Sequence, residues 1–323
     1  MVSSTQRVAV VIPCYRVKNQ IVSVVQAVLP WADHVIVVDD ACPEQSGAYL
    51  AQQVQDPKLR IIQHKKNMGV GGAMIAGYQE ALKTDALVIV KMDGDGQMDP
   101  KYLGRLIAPL LVASADFSKG NRFYDLLALP SMPWLRKLGN FGLTFLAKIS
   151  SGYWHISDPT NGFIAIRREA LSLLNIQLLD HSYFFEINVL VQLNIIHAVA
   201  VDVPIPAQYG DEKSSLNPLK ILFAFPPKLL ASFFRRIWWR YFVYDVNMVT
   251  IFLVMGVLLF FGGTGFGIFK WFSSVQADIN QPMGTIALAM LPIILGFQLI
   301  LQAAVLDIVD KPATALCRYL KQE

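Results

Sequence analysis

Leu87-Val88-Ile89-Val90 leads into Met92-Asp93-Gly94-Asp95-Gly96-Gln97-Met98-Asp99-Pro100, and this passage decides how the chain is read. A continuous apolar, β-branched run reads as a strand buried on both faces. Acidic residues at its end need a reason. Residues i and i+2 of an extended chain point the same way, so Asp93 and Asp95 can converge on one hard cation. Mg²⁺ or Mn²⁺ favours carboxylates together with phosphate oxygens. A metal on a diphosphate neutralises the charge that builds on the leaving group. The competing reading is an Asp/Gly turn that caps the next helix, a part that Asp99-Pro100 can play. An EF-hand is excluded, because no Glu stands at the twelfth loop position.

Working outward, the same alternation fills the first two-thirds of the chain. Apolar runs at Val8–Ile12, Val35–Val38, Leu59–Ile62 and Leu87–Val90 read as strands, and Gln20–Leu29 and Val70–Leu82 as helices between them. That pattern predicts a mostly parallel, Rossmann-like α/β sheet covered on both faces. Ligands of such sheets bind outside the carboxyl ends of the strands. A second acidic pair, Asp39-Asp40, ends the run Val35–Val38. These carboxylates suit a base imino group or ribose hydroxyls; capping of the next helix by Asp40 or Ser46 competes. Asn67-Met68-Gly69-Val70-Gly71-Gly72-Ala73 is no dinucleotide fingerprint, because Met74 stands where the last glycine belongs. Its glycines still let backbone N–H groups approach a ligand at a helix start.

The character changes after Pro218. Leu219–Tyr244 mixes Phe and Trp with Lys220, Lys228, Arg235, Arg236 and Arg240, as interfacial amphipathic helices do. Pro226 and Pro227 are expected to break it into two short segments. Val246–Phe269 and Gly284–Ile308 follow, uncharged until Asp307 and long enough to cross a hydrocarbon core of about 30 Å. Hydrophobic residues make up 54% of the 323 and charged ones only 16%, so part of the chain is expected in lipid. The link Lys270–Met283 carries one Lys and one Asp, whereas the outer flanks carry Arg235, Arg236, Arg240, Lys311, Arg318 and Lys321. The positive-inside bias puts both flanks in the cytoplasm. Met1–Arg7 has no apolar stretch of the kind a signal peptide needs, which agrees. Cys14, Cys42 and Cys317 show no ligand spacing and read as reduced thiols. A net charge of +4 points away from nucleic acid.

Ile12-Pro13-Cys14-Tyr15, the Val-Val-Asp39-Asp40 strand end, Asn67-x-Gly69-x-Gly71, Asp93-Gly-Asp95-Gly-Gln97 and Asp158-Pro-Thr-Asn-Gly162-Phe163 stand in a telling order. In that order the chain resembles the family 2 glycosyltransferases, and within them the polyprenyl-phosphate glycosyltransferases related to dolichol-phosphate mannose synthase. The likeness covers the whole chain, including the two terminal helices of bacterial members. It implies a GT-A fold and inverting transfer of one sugar from a nucleotide-diphosphate sugar to a polyprenyl phosphate. Carried over, Asp93, Asp95 and Gln97 hold Mg²⁺ or Mn²⁺. Pro13, Tyr15, Asp39, Asp40, Asn67, Gly69 and Asp93 frame the nucleotide sugar, and Arg122 faces the phosphates. Asp158 is the family's candidate base, with capping of the Pro159–Asn161 turn as the plainer reading. Two departures stand out: Arg16-Val17-Lys18 replaces the usual Asn-Glu-Glu, and the Arg before Gly-x-Ser-Lys is missing around Lys213 and Ser214.

The expected layout is a cytoplasmic GT-A domain over 1–215, interfacial helices over 216–245, a two-helix anchor over 246–310 and a tail over 311–323. The enzyme then works at the cytoplasmic face of the inner membrane, with UDP-sugar and undecaprenyl phosphate as the donor and acceptor that bacterial relatives suggest. Arg235, Arg236 and Arg240 lie where lipid phosphates sit and are candidates for the acceptor, against plain anchoring to anionic lipid. A homo-oligomer is left open. A processive synthase would need a Gln-x-x-Arg-Trp motif and more spanning helices, and the chain has neither. A catalytically dead scaffold is disfavoured by intact Asp93, Asp95 and Asp158.

Overall fold

A computed structural model of the chain describes residues 7–122, 134–206 and 218–320. The four expected runs form strands β1 (Val8–Cys14), β2 (His34–Asp39), β3 (Leu59–Gln63) and β4 (Val88–Lys91). They pair in parallel, β1 lying between β2 and β4, and β3 outside β2. Three further strands complete a seven-stranded sheet of order β3-β2-β1-β4-β6-β5-β7, with β5 at Phe117–Asn121, β6 at Ile164–Arg167 and β7 at Ala200–Pro204. Only β6 runs the other way, antiparallel to both β4 and β5. Its amino end therefore meets the carboxyl ends of β4 and β5, which brings the segment Asp158–Phe163 to the edge where ligands of such sheets bind.

Strand alternation divides the core. Ala9, Val11, Ile36 and Ile89 face helices α3 (Gly69–Ala81) and α7 (Phe185–Ile195) through Met74, Tyr78, Phe185 and Val189. Val8, Val10, Ile12 and Val90 face α1 (Ile21–Val28) and α4 (Leu103–Leu111) through Val25, Val28, Leu106 and Leu110. Residues 9–12 and 88–90 are fully buried because they pack on both sides.

The glycines at the start of α3 pack against a neighbouring backbone. Gly71 donates its N–H to the His181 carbonyl at 3.0 Å, and a Cβ there would overlap the Asp180 and His181 backbone.

Pro226 and Pro227 do not break the chain: α8 runs unbroken over Pro218–Trp238. The prolines remove two backbone donors, but Phe225 and Leu229 are buried against Ala147, Phe184 and Ile187, and Lys228 pairs with Asp180 at 2.6 Å. A single π-helical stretch, Trp239–Tyr244, follows.

The chain divides into two compact units, Met1–Arg236 with the segment from Pro312, and Ile237–Lys311. In the first unit, Asp116 accepts the N–H groups of Val199 at 2.9 Å and Leu316 at 3.0 Å, while Arg318 donates to the Ala113 carbonyl at 2.8 Å. The second unit is a hairpin of α9 (Met248–Ala277) and α10 (Met283–Val309). Asn247 and Thr250 form a capping box at its start. Helix α9 continues through Lys270, so the link shrinks to residues 278–282. Gly256 and Gly296 let the two backbones approach closely, as small residues do in paired membrane helices. Only 11% and 6% of their most apolar windows are buried, so both helices present long apolar faces and are long and apolar enough to span a membrane.

Replacing Gly71 with Ala is expected to push the Asp180–Ser182 segment off α3 and lower stability by about 1–3 kcal/mol. Chemical unfolding in detergent measures this.

Candidate active site

Asp93 stands two residues past the end of β4, and the chain then turns over Gly94-Asp95-Gly96 instead of staying extended. Gly96 takes a φ of +80°, which a side chain would resist. Asp95 Oδ1 accepts the Gln97 N–H at 2.9 Å, and Asp99 caps the short turn Pro100–Tyr102 by accepting from Lys101 N at 3.0 Å. Asp93 is 30% exposed and Gln97 is exposed, so both can meet a ligand from solvent. Among the described residues no three His, Cys, Asp or Glu side chains gather as a metal cage. Two carboxylates with an amide oxygen nearby still suit Mg²⁺ or Mn²⁺, which takes its remaining oxygens from water and substrate phosphate.

Beneath this edge lies a charged layer that the motifs did not reveal. Lys91 is 1% exposed; its Nζ donates to Asp93 Oδ1 at 2.6 Å and to the Gly162 carbonyl at 3.3 Å, and pairs with Glu186 Oε1 at 3.2 Å. Burial disfavours its charge, but Asp93 and Glu186 outweigh that and raise its pKa above the ordinary lysine value. Glu186 lies in the first turn of α7, buried, and serves the lysine. Lys91 and Lys119 both register with Ile164, from either side, so their side chains share a sheet face. Lys119 donates to the Asn161 carbonyl. Its burial pushes the pKa down to about 8, against the pull of Glu186 and Asp158.

Asp158 is fully buried and gripped by Arg122, Nε to Oδ2 at 2.7 Å and Nη2 to Oδ1 at 3.1 Å. This two-pronged geometry orients a guanidinium firmly. Arg122 keeps 40% of its side chain exposed, so the pair presents the arginine outward and the carboxylate inward. Nearby, Asp202 accepts from Ser157 N at 2.7 Å and Asn121 Nδ2 at 3.1 Å, and burial raises its pKa.

The other acidic pair is bound into the backbone. Asp39 accepts the N–H groups of Cys42 and Gly47, each at 2.7 Å. Asp40 accepts those of Met68 and Gly69, each at 2.8 Å, and pairs with His64 Nδ1 at 2.7 Å. Both carboxylates thus hold loop and helix starts, the plainer of the two readings; Asn67 adds a bond to Gly69 N at 3.1 Å. Pro13 and Tyr15 stand at the carboxyl end of β1 and just beyond it, with Tyr15 41% exposed and Arg16 5.4 Å over its ring. His155 packs, with Nε2 at 2.8 Å from the Ala200 carbonyl.

Two of the three juxtamembrane arginines have partners within the chain. Arg236 is fully buried and donates to the carbonyls of Ser150 at 3.0 Å and Ile149 at 3.1 Å, closing the end of α5 (Trp134–Ser151). Arg240 is 1% exposed and pairs with Asp310 at 2.6 Å. Arg235 differs: its Nη2 is buried without a partner, and burial lowers its pKa. Lys213 and Ser214 lie outside the described residues.

The model for the glycosyl transferase family 2 domain matches residues 9–174. The chain belongs to glycosyltransferase family 2. Among family relatives, it is 33% identical to the polyprenol monophosphomannose synthase of Mycolicibacterium smegmatis, over 58% of this chain and 72% of that protein. It is 29% identical to the undecaprenyl-phosphate mannosyltransferase of Micrococcus luteus, over 65% of this chain and 88% of that one. It is also 29% identical to the UDP-N-acetylglucosamine–dolichyl-phosphate N-acetylglucosaminyltransferase of Methanococcus voltae, over 54% and 74%. Glucosyl-3-phosphoglycerate synthase from Mycobacterium tuberculosis, solved with UDP, superposes with a TM-score of 0.53 at 20% identity, covering 72% of this chain and 80% of that one. The fold is GT-A, followed by the two long apolar helices.

In this family 2 chain, the buried lysine gives a pH signature. An unfolded lysine keeps its proton to about pH 10.4, whereas Lys119 in the fold releases it near 8. Between those values the unfolded chain binds more protons, so stability rises with pH. Lys119→Met is expected to flatten the rise of the apparent melting temperature between about pH 8 and 10.

Proposed function

We propose that this chain transfers one sugar, with inversion, from a UDP-sugar to undecaprenyl phosphate at the cytoplasmic face of the inner membrane. The observation that carries the reading is the shared edge of β4, β5 and β6, where Asp93 and Asp95 stand close in sequence at one strand end and Asp158 aims Arg122 outward. Three relatives bear names of polyprenyl- or dolichyl-phosphate sugar transferases, and the Methanococcus one is named for a UDP donor. The apolar hairpin supplies the means to work on an acceptor buried in lipid.

Each residue then has a task. Tyr15 and Pro13 bound the space for the base, while Asp39, Asp40, Asn67 and Gly69 hold the loops that shape it. Asp93 and Asp95, with Gln97, would hold Mg²⁺ or Mn²⁺, which when bound offsets the charge developing on the departing diphosphate. Arg122 meets phosphate oxygens. The attacking oxygen belongs to a phosphate monoester whose second pKa is about 6, so it arrives largely deprotonated and needs orientation more than a base. Asp158, with both oxygens on Arg122, meets that need by fixing the guanidinium. Arg235 is the juxtamembrane candidate for the acceptor phosphate, since a half-buried guanidinium with an unpartnered N–H favours an anion. Lys213 and Ser214 remain candidates for the same phosphates by motif position.

Purified protein in lipid nanodiscs, given UDP-sugars and undecaprenyl phosphate, should release UDP and form a lipid-linked sugar detectable by mass. Asp95→Asn is expected to cut turnover at least about 100-fold with an unchanged melting temperature. Full activity in excess EDTA would overturn the metal assignment. Arg235→Ala should raise KM for undecaprenyl phosphate about tenfold and leave KM for the donor unchanged; equal effects on both substrates would remove Arg235 from the acceptor site.

A further inference from the structure

Asp93 does not stand ready for a cation. One of its oxygens is already taken by an ammonium 2.6 Å away, on a residue that the strand ladder fixes in place. Lys91 registers with Val11 on one side and Ile164 on the other, so it cannot swing out as a loop lysine would. The same ammonium has a second carboxylate, Glu186, at 3.2 Å and the Gly162 carbonyl at 3.3 Å. Gly162 leaves room for nothing larger, since a Cβ there would strike both Lys91 Nζ and Asp93 Oδ2.

We propose that Lys91 is a resident counter-ion of Asp93, which an incoming divalent cation must displace toward Glu186. Lys91 and Glu186 are then positioning residues that set how tightly the metal site holds its ion. This rests on Asp93 and Asp95 being the metal site. An ammonium beside the site repels a doubly charged ion at short range in a poorly screened setting. Two carboxylates, one of them shared, then hold Mg²⁺ or Mn²⁺ weakly until a nucleoside diphosphate brings two more negative phosphates. Glu186 works in the opposite direction, because it draws the ammonium off Asp93. Removing it leaves Lys91 with Asp93 alone.

The test is Mn²⁺ binding by the full chain in detergent, read from the electron paramagnetic resonance signal of free Mn²⁺, with no nucleotide and with UDP or GDP as probe. Wild type is expected to bind Mn²⁺ weakly alone and at least tenfold more tightly with one of the diphosphates. The double variant Lys91→Met/Glu186→Gln removes the lysine without stranding a buried carboxylate partner. It should tighten nucleotide-free Mn²⁺ binding about tenfold, whereas Glu186→Gln alone should weaken it. General damage to the fold would weaken both, so the opposite signs are the signature. A folded double variant whose Mn²⁺ affinity is unchanged or weaker overturns the proposal. Should the double variant fail to fold, unchanged or tighter binding by Glu186→Gln overturns it equally. Wild type that binds no Mn²⁺ with either diphosphate overturns the metal site itself, and this inference with it.

Discussion

A lysine at 1% exposure in the body of a mostly parallel sheet obliges its surroundings to supply negative charge. Lys91 has that effect on three parts of the fold at once. It requires α7 to begin where Glu186 can reach it, Asp93 to leave β4 on its side, and the chain before β6 to pass at Gly162. Lys119, facing the same way from β5, adds a second buried cation balanced through Asp158 and Glu186. Removing one member of such a set leaves another charged group stranded, which is far more costly than the set is stabilising. The edge is therefore held by mutual need among charges instead of by apolar packing.

On the neighbouring strand ends the same economy of polar groups appears in backbone form. Asp39 and Asp40 tie down residues 42–47 and 64–69, so the loops after β2 and β3 keep their shape before any nucleotide arrives. Behind them the Asp180–Ser182 segment touches Gly71 on one side and Lys228 of α8 on the other. A continuous path of contacts thus joins the start of α3 to the helix that leads toward the membrane hairpin.

Much of this was legible in the sequence. The parallel core strands announce themselves as β-branched runs, because burial on both faces leaves no polar alternation to confuse the reading. Asp93 and Asp95 were found because charge at the end of such a run is conspicuous. Lys91 was missed for a related reason: a lone lysine at the end of a strand reads as a solvent-facing stop, and its partner Glu186 is distant in sequence. Strand β6 is only Ile164–Arg167, too short for its direction to be read. The two prolines misled because the contacts packed against α8 come from Ala147, Phe184 and Ile187, distant in sequence. Basic residues beside an apolar segment look like lipid anchors, yet Arg236 closes a helix end and Arg240 an ion pair. Composition marks the region without telling which guanidinium is already engaged.

Asp116 and Leu316, 200 residues apart, share a hydrogen bond in the unit that carries the sheet. The polypeptide that completes this unit is thus translated after α9 and α10. Until that segment is made, Asp116 lacks the Leu316 N–H, and the seat for Ala315 and Cys317 stands empty. For a hairpin that enters a bilayer during translation, the catalytic unit acquires its last piece once insertion is already under way. Assembly order is thereby written into chain connectivity: a copy halted before the hairpin would lack that closing segment.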